Sequence, residues 1–277
     1  MAGAGYTQAQ IDAIAAQLAG AYRRGEQAIV ARLLRANLTY WQRVKAQAQL
    51  AAIRDVLTEM GEATRDWAQL HIPGLYRAGV AEVDDVMGEE LTTFGRLHTE
   101  TVKLLGENLV TNTNDVLQIV GRRVDDVFRQ AQLTALQEST VLGETRRQAT
   151  RRLLDRIVGD DGTLTVVQYR DGSVHSLSSY GEMVGRTVSQ ECQTRAVENR
   201  MAELGEDLVK ISTHPGSCSR CEPYQGQILS LSGTSEEYGS LDDARAAGLF
   251  HPNCRHRAMP YIARYAQARE RAMESVA

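Results

Sequence analysis

Cysteine and histidine side chains cluster in two short stretches near the C-terminal end of this sequence. The first stretch is Cys218-Ser219-Arg220-Cys221, and the second is His251-Pro252-Asn253-Cys254-Arg255-His256. A tetrahedral zinc site takes four thiolate or imidazole ligands, and two short turns typically supply two ligands each. The spacing therefore predicts a structural zinc site in which one of the two clustered histidines is surplus. The candidate ligands are Cys218, Cys221, His251, Cys254 and His256.

Two other interpretations of these residues stay open. In a turn-rich C-terminal segment they can be ordinary reduced thiols and surface imidazoles. A Cys-x-x-Cys pair can also be a redox dithiol, but the pair at Cys218 is not placed between a strand and the opening of a helix. We favour a structural metal because the available ligands can close its coordination shell.

Motifs that would indicate an enzyme are missing. The sequence has no Gly-x-Ser-x-Gly, no Gly-x-x-x-x-Gly-Lys and no His-Glu-x-x-His. His98-Thr99-Glu100 superficially matches half of a zinc deaminase site, but it lies far from the cysteine pair, and Ser217 stands where that site needs proline. We therefore expect a protein that is not an enzyme. The alternative is a metal-dependent nuclease or another DNA-processing protein. In a nuclease, His214 or His256 would help to bind a hydrolytic metal, although no acidic residue has an obvious spacing for that role.

The overall charge gives no reason to expect DNA binding over the whole surface. Lysine and arginine number 31, aspartate and glutamate number 35, and the formal net charge is -4. Any DNA contact must therefore be local. One arginine-rich run could meet the phosphates of packaged DNA, or equally an acidic partner protein. It consists of Arg146, Arg147, Arg151, Arg152 and Arg156.

Hydropathy and cysteine content favour synthesis in a reducing cytoplasm. We find no run of about 18 apolar residues, so we expect no membrane span. Residues 1–10 have neither a basic start nor an apolar stretch, so we expect no secretory signal. Four cysteines are too few for a disulfide scaffold in a chain of 277 residues.

The first half of the sequence has the apolar spacing of long helices. That spacing begins at Thr7, which starts a capping-box pattern, and it continues to Tyr40. A second helix is predicted over residues 41–70, and His71-Ile72-Pro73-Gly74 is expected to end it. A short helix is predicted from Pro73 to Gly88.

Helical spacing resumes between His98 and Ile157, where Asn112-Thr113-Asn114 is expected to bend or interrupt the helix. One face of this segment mixes arginine and aspartate, which favours a solvated or inter-subunit surface. The residues of that face include Arg122, Arg123, Asp125, Asp126 and Arg129.

Strand patterns begin after Gly162. Residues 164–169 and 174–177 are predicted to form a hairpin around Asp171-Gly172. A helix is then predicted over residues 180–204, with Ser178 or Ser179 as its cap and Gly205 as its end. Four further short elements are predicted: strands over 208–213 and 226–233, a helix over 240–248, and a knuckle or short strand over 250–260.

These elements predict an α+β protein, with a mostly helical N-terminal region followed by a small α+β domain that carries the zinc-knuckle-like motif. The expected domains are an elongated helical region over residues 1–157, the α+β domain over 158–264, and a C-terminal tail over 265–277.

Several strings resemble those of one known family, and the most specific is Gly248-Leu249-Phe250-His251-Pro252-Asn253-Cys254-Arg255-His256. With these strings the sequence resembles the phage minor capsid proteins related to the Mu F-type head-morphogenesis domain (minor capsid protein 2-like). Residues 180–187, the Cys218 pair, residues 224–228 and residues 238–241 match as well. The resemblance covers roughly residues 98–264, while residues 1–95 match no family that we can name.

The resemblance implies a virion protein of the capsid interior, made in the bacterial host cytoplasm. It implies a structural part in head assembly or in DNA packaging or ejection, near the portal. Expected partners are the portal, major capsid or scaffold proteins, with packaged DNA as a further candidate.

Overall fold

Four long helices carry most of the chain that this computed structural model describes, which is residues 5–35, 43–141, 166–168 and 173–265. They are α1 (Gln8–Arg35), α2 (Arg43–Met87), α3 (Arg96–Val141) and α4 (Leu177–Glu203). The shorter elements are β1 (Val166–Gln168), β2 (Val174–Ser176), β3 (Leu208–Ile211), a 3-10 helix (Glu222–Tyr224), β4 (Ile228–Ser230), α5 (Leu241–Ala246) and β5 (Ala258–Pro260). The α+β class is confirmed. Among these helices, none combines the length and hydropathy needed to cross a membrane.

The start of α1 is set by the capping box that the sequence predicts. The Thr7 N–H donates to Gln10 Oε1 at 2.8 Å, and the Gln10 N–H donates to Thr7 Oγ1 at 3.3 Å. These bonds satisfy N–H groups that have no partner within the first turn of a helix. The predicted helix start is confirmed.

α2 continues through His71-Ile72-Pro73-Gly74, so the predicted break is wrong. Pro73 lies inside the helix, where proline costs about 3 kcal/mol. Its neighbours Ile72, Leu75 and Tyr76 are 1%, 0% and 0% exposed. Burying each large apolar side chain stabilises the fold by about 1.5–3 kcal/mol, and the three together outweigh the proline.

α3 also runs unbroken through Asn112-Thr113-Asn114, so the predicted interruption is wrong. Thr113 lies on the same face as Leu109 and Leu117, four residues away on either side, and all three are buried. On the polar face, the side chains of Asp126 and Arg129 are 71% and 74% exposed, which agrees with the predicted solvated surface.

The chain groups into two compact units. Unit 1 consists of Met1–Ala15, Gln69–Glu107 and Met183–Ala277, and unit 2 consists of Ala16–Ala68 and Asn108–Glu182. Residues 142–165 and 266–277 lie outside the described residues, so the predicted domain limits near residues 157 and 265 stay predictions.

The hairpin of β1 and β2 belongs to unit 2 and is antiparallel, with Val167 opposite His175. Its turn, residues 169–172, lies outside the described residues. α4 begins directly after β2, and Ser176 Oγ accepts a hydrogen bond from the Ser179 N–H at 3.1 Å. Ser176 therefore caps this helix, and the prediction of Ser178 or Ser179 as the cap is wrong.

Unit 1 contains a three-stranded antiparallel sheet with the order β4-β3-β5. Val209 and Ile211 of the central strand are buried, while Lys210 between them is exposed. The buried face joins Val197 and Met201 of α4 in one apolar core. α5 lies between β4 and β5 in sequence, and its Ser240 cap accepts from the Asp243 N–H at 3.3 Å.

Candidate metal centre

Both Cys/His stretches lie at the same end of the three-stranded sheet. The first stretch lies in the connection between β3 and β4, and one residue separates the end of the second stretch from the start of β5. Because β4 and β5 run antiparallel to β3, each starts beside the end of β3: Ile228 is opposite Lys210, and Ala258 is opposite Ile211. Strand topology therefore brings together two stretches that are distant in sequence.

Backbone hydrogen bonds shape each stretch into a tight turn. In the first turn, the N–H groups of Cys221 and Glu222 donate to the Cys218 carbonyl at 3.0 and 2.9 Å. In the second turn, the Cys254 N–H donates to the His251 carbonyl at 2.9 Å. Each turn thus places two candidate ligands three residues apart on one short loop.

The five predicted ligands come together in one cluster. Sγ of Cys218 lies 3.0 Å from Nε2 of His251, and Sγ of Cys254 lies 3.5 Å from Sγ of Cys221 and 3.4 Å from Nδ1 of His256. The cluster contains two groups of three ligand atoms, and within each group all three atoms lie within 4.8 Å of one another. The first is Cys218, Cys221 and His251, and the second is Cys221, Cys254 and His256. Cys221 belongs to both groups.

These distances fit a tetrahedral zinc ion. Zn–S bonds of about 2.3 Å and Zn–N bonds of about 2.0–2.1 Å place ligand atoms about 3.3–3.8 Å apart. The two distances from Cys254 fall in this range, and the distance from Cys218 to His251 is slightly shorter. The Cys221–Cys254 pair is not a disulfide, because a disulfide needs about 2.05 Å and both cysteines are free. Thiolate and imidazole ligands also suit zinc better than calcium or magnesium.

Three of the five side chains are buried in unit 1: Cys221, Cys254 and His256 are 0%, 6% and 2% exposed. Burial raises the pKa of the Cys221 thiol to about 12, and the neighbouring Cys254 adds to that rise. Burial also lowers the pKa of His256 to about 4, with further contributions from His214 and His251. His256 is therefore neutral at pH 7, the form in which imidazole binds metals. A buried thiolate needs a positive charge nearby, which a divalent metal would supply.

Cys218 and His251 form the more accessible edge of the cluster. Burial alone would raise the pKa of Cys218, but hydrogen bonds from the Cys221 N–H, His251 and the Arg220 N–H outweigh it and lower that pKa to about 7. Nδ1 of His251 lies 2.8 Å from the Pro252 carbonyl oxygen, which can only accept a hydrogen bond. When Nδ1 donates to this carbonyl, Nε2 is the ring nitrogen that a metal ion would take, in place of its hydrogen bond to Cys218.

Two residues outside the five candidate zinc ligands, His214 and Ser217, also contact the cluster. The rings of His214 and His256 have centroids 4.3 Å apart, and Ser217 Oγ lies 3.5 Å from His256 Nε2. Both residues are within four positions of Cys218, but sequence proximity does not reveal which neighbours of a turn face the second stretch.

The nuclease alternative and the DNA contact find no support in the described part of the chain. The two groups of candidate metal ligands found there contain no carboxylate, so these described residues show no acidic partner for a hydrolytic metal. The arginine-rich run lies outside the described residues, so its contact with DNA stays a prediction. It comprises Arg146, Arg147, Arg151, Arg152 and Arg156.

The long helices and the paired Cys/His turns define an α+β protein with a candidate structural metal centre. The family described as Phage minor capsid protein 2 matches residues 7–276, and the chain belongs to this family. Membership implies a structural role in the phage capsid and a location in the virion. It confirms the resemblance noted in the C-terminal half and extends it to the N-terminal helices. No curated protein and no solved structure significantly matches the chain.

Proposed function

We propose that this protein is a non-enzymatic component of the phage head interior that acts near the portal, in capsid assembly or in DNA packaging or ejection. The family match supports a structural capsid role. The position near the portal and the partners, which are the portal, major capsid or scaffold proteins, are our extension of that match.

We further propose that one zinc ion stabilises the sheet of unit 1. The observation that carries this proposal is the pair of overlapping ligand groups that share the buried Cys221. The ligands would be Cys218, Cys221 and Cys254 with one of the two clustered histidines. Such a shell is closed, because all four positions are taken by protein atoms, and it leaves no site for a hydrolytic water. The ion would cross-link two turns that the chain connects only through β4 and α5.

Metal analysis of the purified full-length chain tests the zinc proposal. We expect about one zinc per chain, and we expect Cys221→Ser to abolish stoichiometric binding because Cys221 belongs to both ligand groups. Cys192 is the matched control, since it is a buried free cysteine of α4 that belongs to neither group. Cys192→Ala should retain zinc. A zinc-free wild-type protein, or full binding by Cys221→Ser, would contradict the proposal.

Separate replacement of the two histidines identifies the fourth ligand. His251→Ala and His256→Ala should differ sharply in zinc affinity, because only one imidazole completes the shell. In the variant that keeps its zinc, the replaced histidine is the surplus one. Equal retention by both variants would argue that neither imidazole is a ligand.

Quantitative mass spectrometry of purified heads and procapsids tests the proposed place of action. We expect the protein in both particles in a small copy number comparable with that of the portal, and we expect crosslinks to portal, major capsid or scaffold protein. Its absence from purified heads would overturn the virion proposal.

A nicking assay on plasmid DNA tests the nuclease alternative. Nicking that depends on added metal and is lost in a folded His256→Ala variant would favour that alternative.

The DNA contact has its own test. Filter binding across a salt series should give a steep salt dependence if phosphates are contacted, and replacing the arginines of the 146–152 run by glutamine should reduce the slope. Binding that does not respond to salt would exclude this contact.

A further inference from the structure

Asn253, in the middle of the second Cys/His turn, has an unusual backbone conformation. Its φ angle is 65°, in the left-handed region that L-residues rarely adopt, although asparagine tolerates it better than most. The residue lies next to Cys254 and two positions after His251. Its conformation therefore determines how the two predicted ligands of this turn are placed.

Two consecutive residues of α4 hold Asn253 from both its backbone and its side chain. The Asn253 N–H donates to Thr187 Oγ1 at 2.9 Å, and Asn253 Oδ1 accepts a hydrogen bond from the Arg186 guanidinium. The Thr187 hydroxyl donates a hydrogen bond to the Met183 carbonyl at 2.7 Å. The lone pairs of Oγ1 can therefore accept the hydrogen bond from the Asn253 N–H. Thr187 also lines a cavity of about 260 Å³ together with His251 and Cys254.

Arg186 is itself held in place. Its side chain is only 11% exposed, and its Nε donates to Asp12 of α1 at 2.8 Å. One helical turn further along α4, Gln190 Nε2 donates to the Arg255 carbonyl at 3.4 Å. The second Cys/His turn is thus fastened to α4 at successive points, while its predicted ligands face the first turn.

We infer that Arg186 and Thr187 are positioning residues for the metal centre. By holding Asn253 in its left-handed conformation, they place the ligands of the second turn within reach of those of the first. This inference rests on the proposed zinc binding. Hydrogen bonds that orient metal ligands commonly change metal affinity about 10- to 100-fold, even though the residues that make them do not touch the ion.

Zinc affinity and the visible spectrum of the cobalt-substituted, full-length protein test this inference. The central comparison is Thr187→Val against Thr187→Ser, because valine has the shape of threonine without the accepting oxygen, and serine keeps that oxygen. Ser189→Ala is the matched control, since Ser189 also donates to its own helix, at the Gly185 carbonyl. For Arg186, we compare Arg186→Met with Asp12→Asn. Arg186→Met removes the contacts with both Asp12 and Asn253, whereas Asp12→Asn removes only the ion pair to α1 and leaves the contact between Arg186 and Asn253.

We expect Thr187→Val and Arg186→Met to bind zinc about 10- to 100-fold more weakly and to alter the cobalt bands that report tetrahedral geometry. Thr187→Ser, Ser189→Ala and Asp12→Asn should match the wild type in both measurements. Wild-type affinity and an unchanged cobalt spectrum in Thr187→Val would overturn the inference. Equal weakening by Asp12→Asn and Arg186→Met would assign the effect of Arg186 to its ion pair and overturn its positioning role. A wild-type protein that takes up neither metal refutes the zinc proposal itself.

Discussion

The buried side chains of unit 2 are almost all apolar, whereas unit 1 also buries charged and amide side chains. Among the described residues, the buried polar side chains of unit 2 are Thr64 and Thr113. All the remaining buried polar or charged side chains belong to unit 1. In unit 1, Arg200 donates to Asp84 at 2.7 Å and to Glu203 at 2.8 Å. The two units therefore depend on different kinds of contact.

The difference predicts how each unit responds to damage. Apolar contacts are not directional, and a helical core can adjust to moderate changes in side-chain shape. A buried charge needs a specific partner, and the loss of that partner leaves an uncompensated charge in the interior. We therefore expect unit 1 to be more sensitive than unit 2 to the removal of a metal, a charge or a hydrogen bond.

Zinc removal should give the largest difference between the units. Structural zinc contributes about 10–16 kcal/mol of apparent binding free energy in zinc-finger peptides. Treatment with a chelator should strongly increase amide hydrogen exchange in β3, β4 and β5 of unit 1, and should leave residues 16–33 and 108–128 of unit 2 protected. Equal loss of protection in both units would contradict the comparison.

Loss of a buried ion pair should have the next largest effect. In Arg200→Ala, Asp84 would keep its burial but lose its guanidinium partner, which typically costs about 3–5 kcal/mol. The matched change in unit 2 is Arg54→Ala, because Arg54 pairs with Asp125 at 2.9 Å while its side chain is 62% exposed. That change should cost about 1 kcal/mol or less. Urea unfolding of the two variants measures the contrast, and similar losses would refute it.

Close helix packing should give an intermediate effect. A Cβ added at Gly79 of α2 would lie 2.7 Å from the carbonyl oxygen of Gln193 in α4, so Gly79→Ala should destabilise unit 1 by about 1–3 kcal/mol. At Gly20 in unit 2, the nearest atom to an added Cβ is the end of the Arg24 side chain at 3.6 Å. Gly20→Ala should stabilise its helix by about 0.5–1 kcal/mol. Thermal unfolding of both variants checks the opposite signs.

A carboxylate of unit 1 should give the smallest effect, visible as a pH dependence. Hydrogen bonds from Arg200 and then His98 lower the pKa of Glu203. Because the folded pKa is below the unfolded one, the stabilisation is complete above about pH 4.3 and disappears as the pH falls through the folded pKa. The Tm difference between wild type and Glu203→Gln should therefore be small but measurable at pH 7 and should shrink below pH 4.3. The exposed Glu62 of unit 2 is the control, and Glu62→Gln should change the Tm little.

Local patterns in the sequence predict several elements well. The Thr7 capping box, the β1–β2 hairpin and the short helix after Ser240 all depend on residues within a few positions of one another. The same is true of Gly205, which follows the end of α4 with a φ angle of 74°. The breaks expected at Pro73 and at Asn112-Thr113-Asn114 are wrong because burial of neighbouring side chains, which is a tertiary effect, outweighs local helix propensity. The cap of α4 differs by a few positions because several adjacent serines are equally suitable in sequence.

The sequence by itself determines the ligand types of the candidate metal centre and their grouping into two turns, because cysteine and histidine spacing within a turn is local. Only the tertiary structure decides that the two turns meet, since β3 pairs antiparallel with both β4 and β5. The same is true of the contacts of Arg186 with Asp12 and Asn253, which are 174 and 67 positions away. Helical periodicity identifies a buried or exposed face, but the partner of a buried polar group depends on which distant segment packs against it.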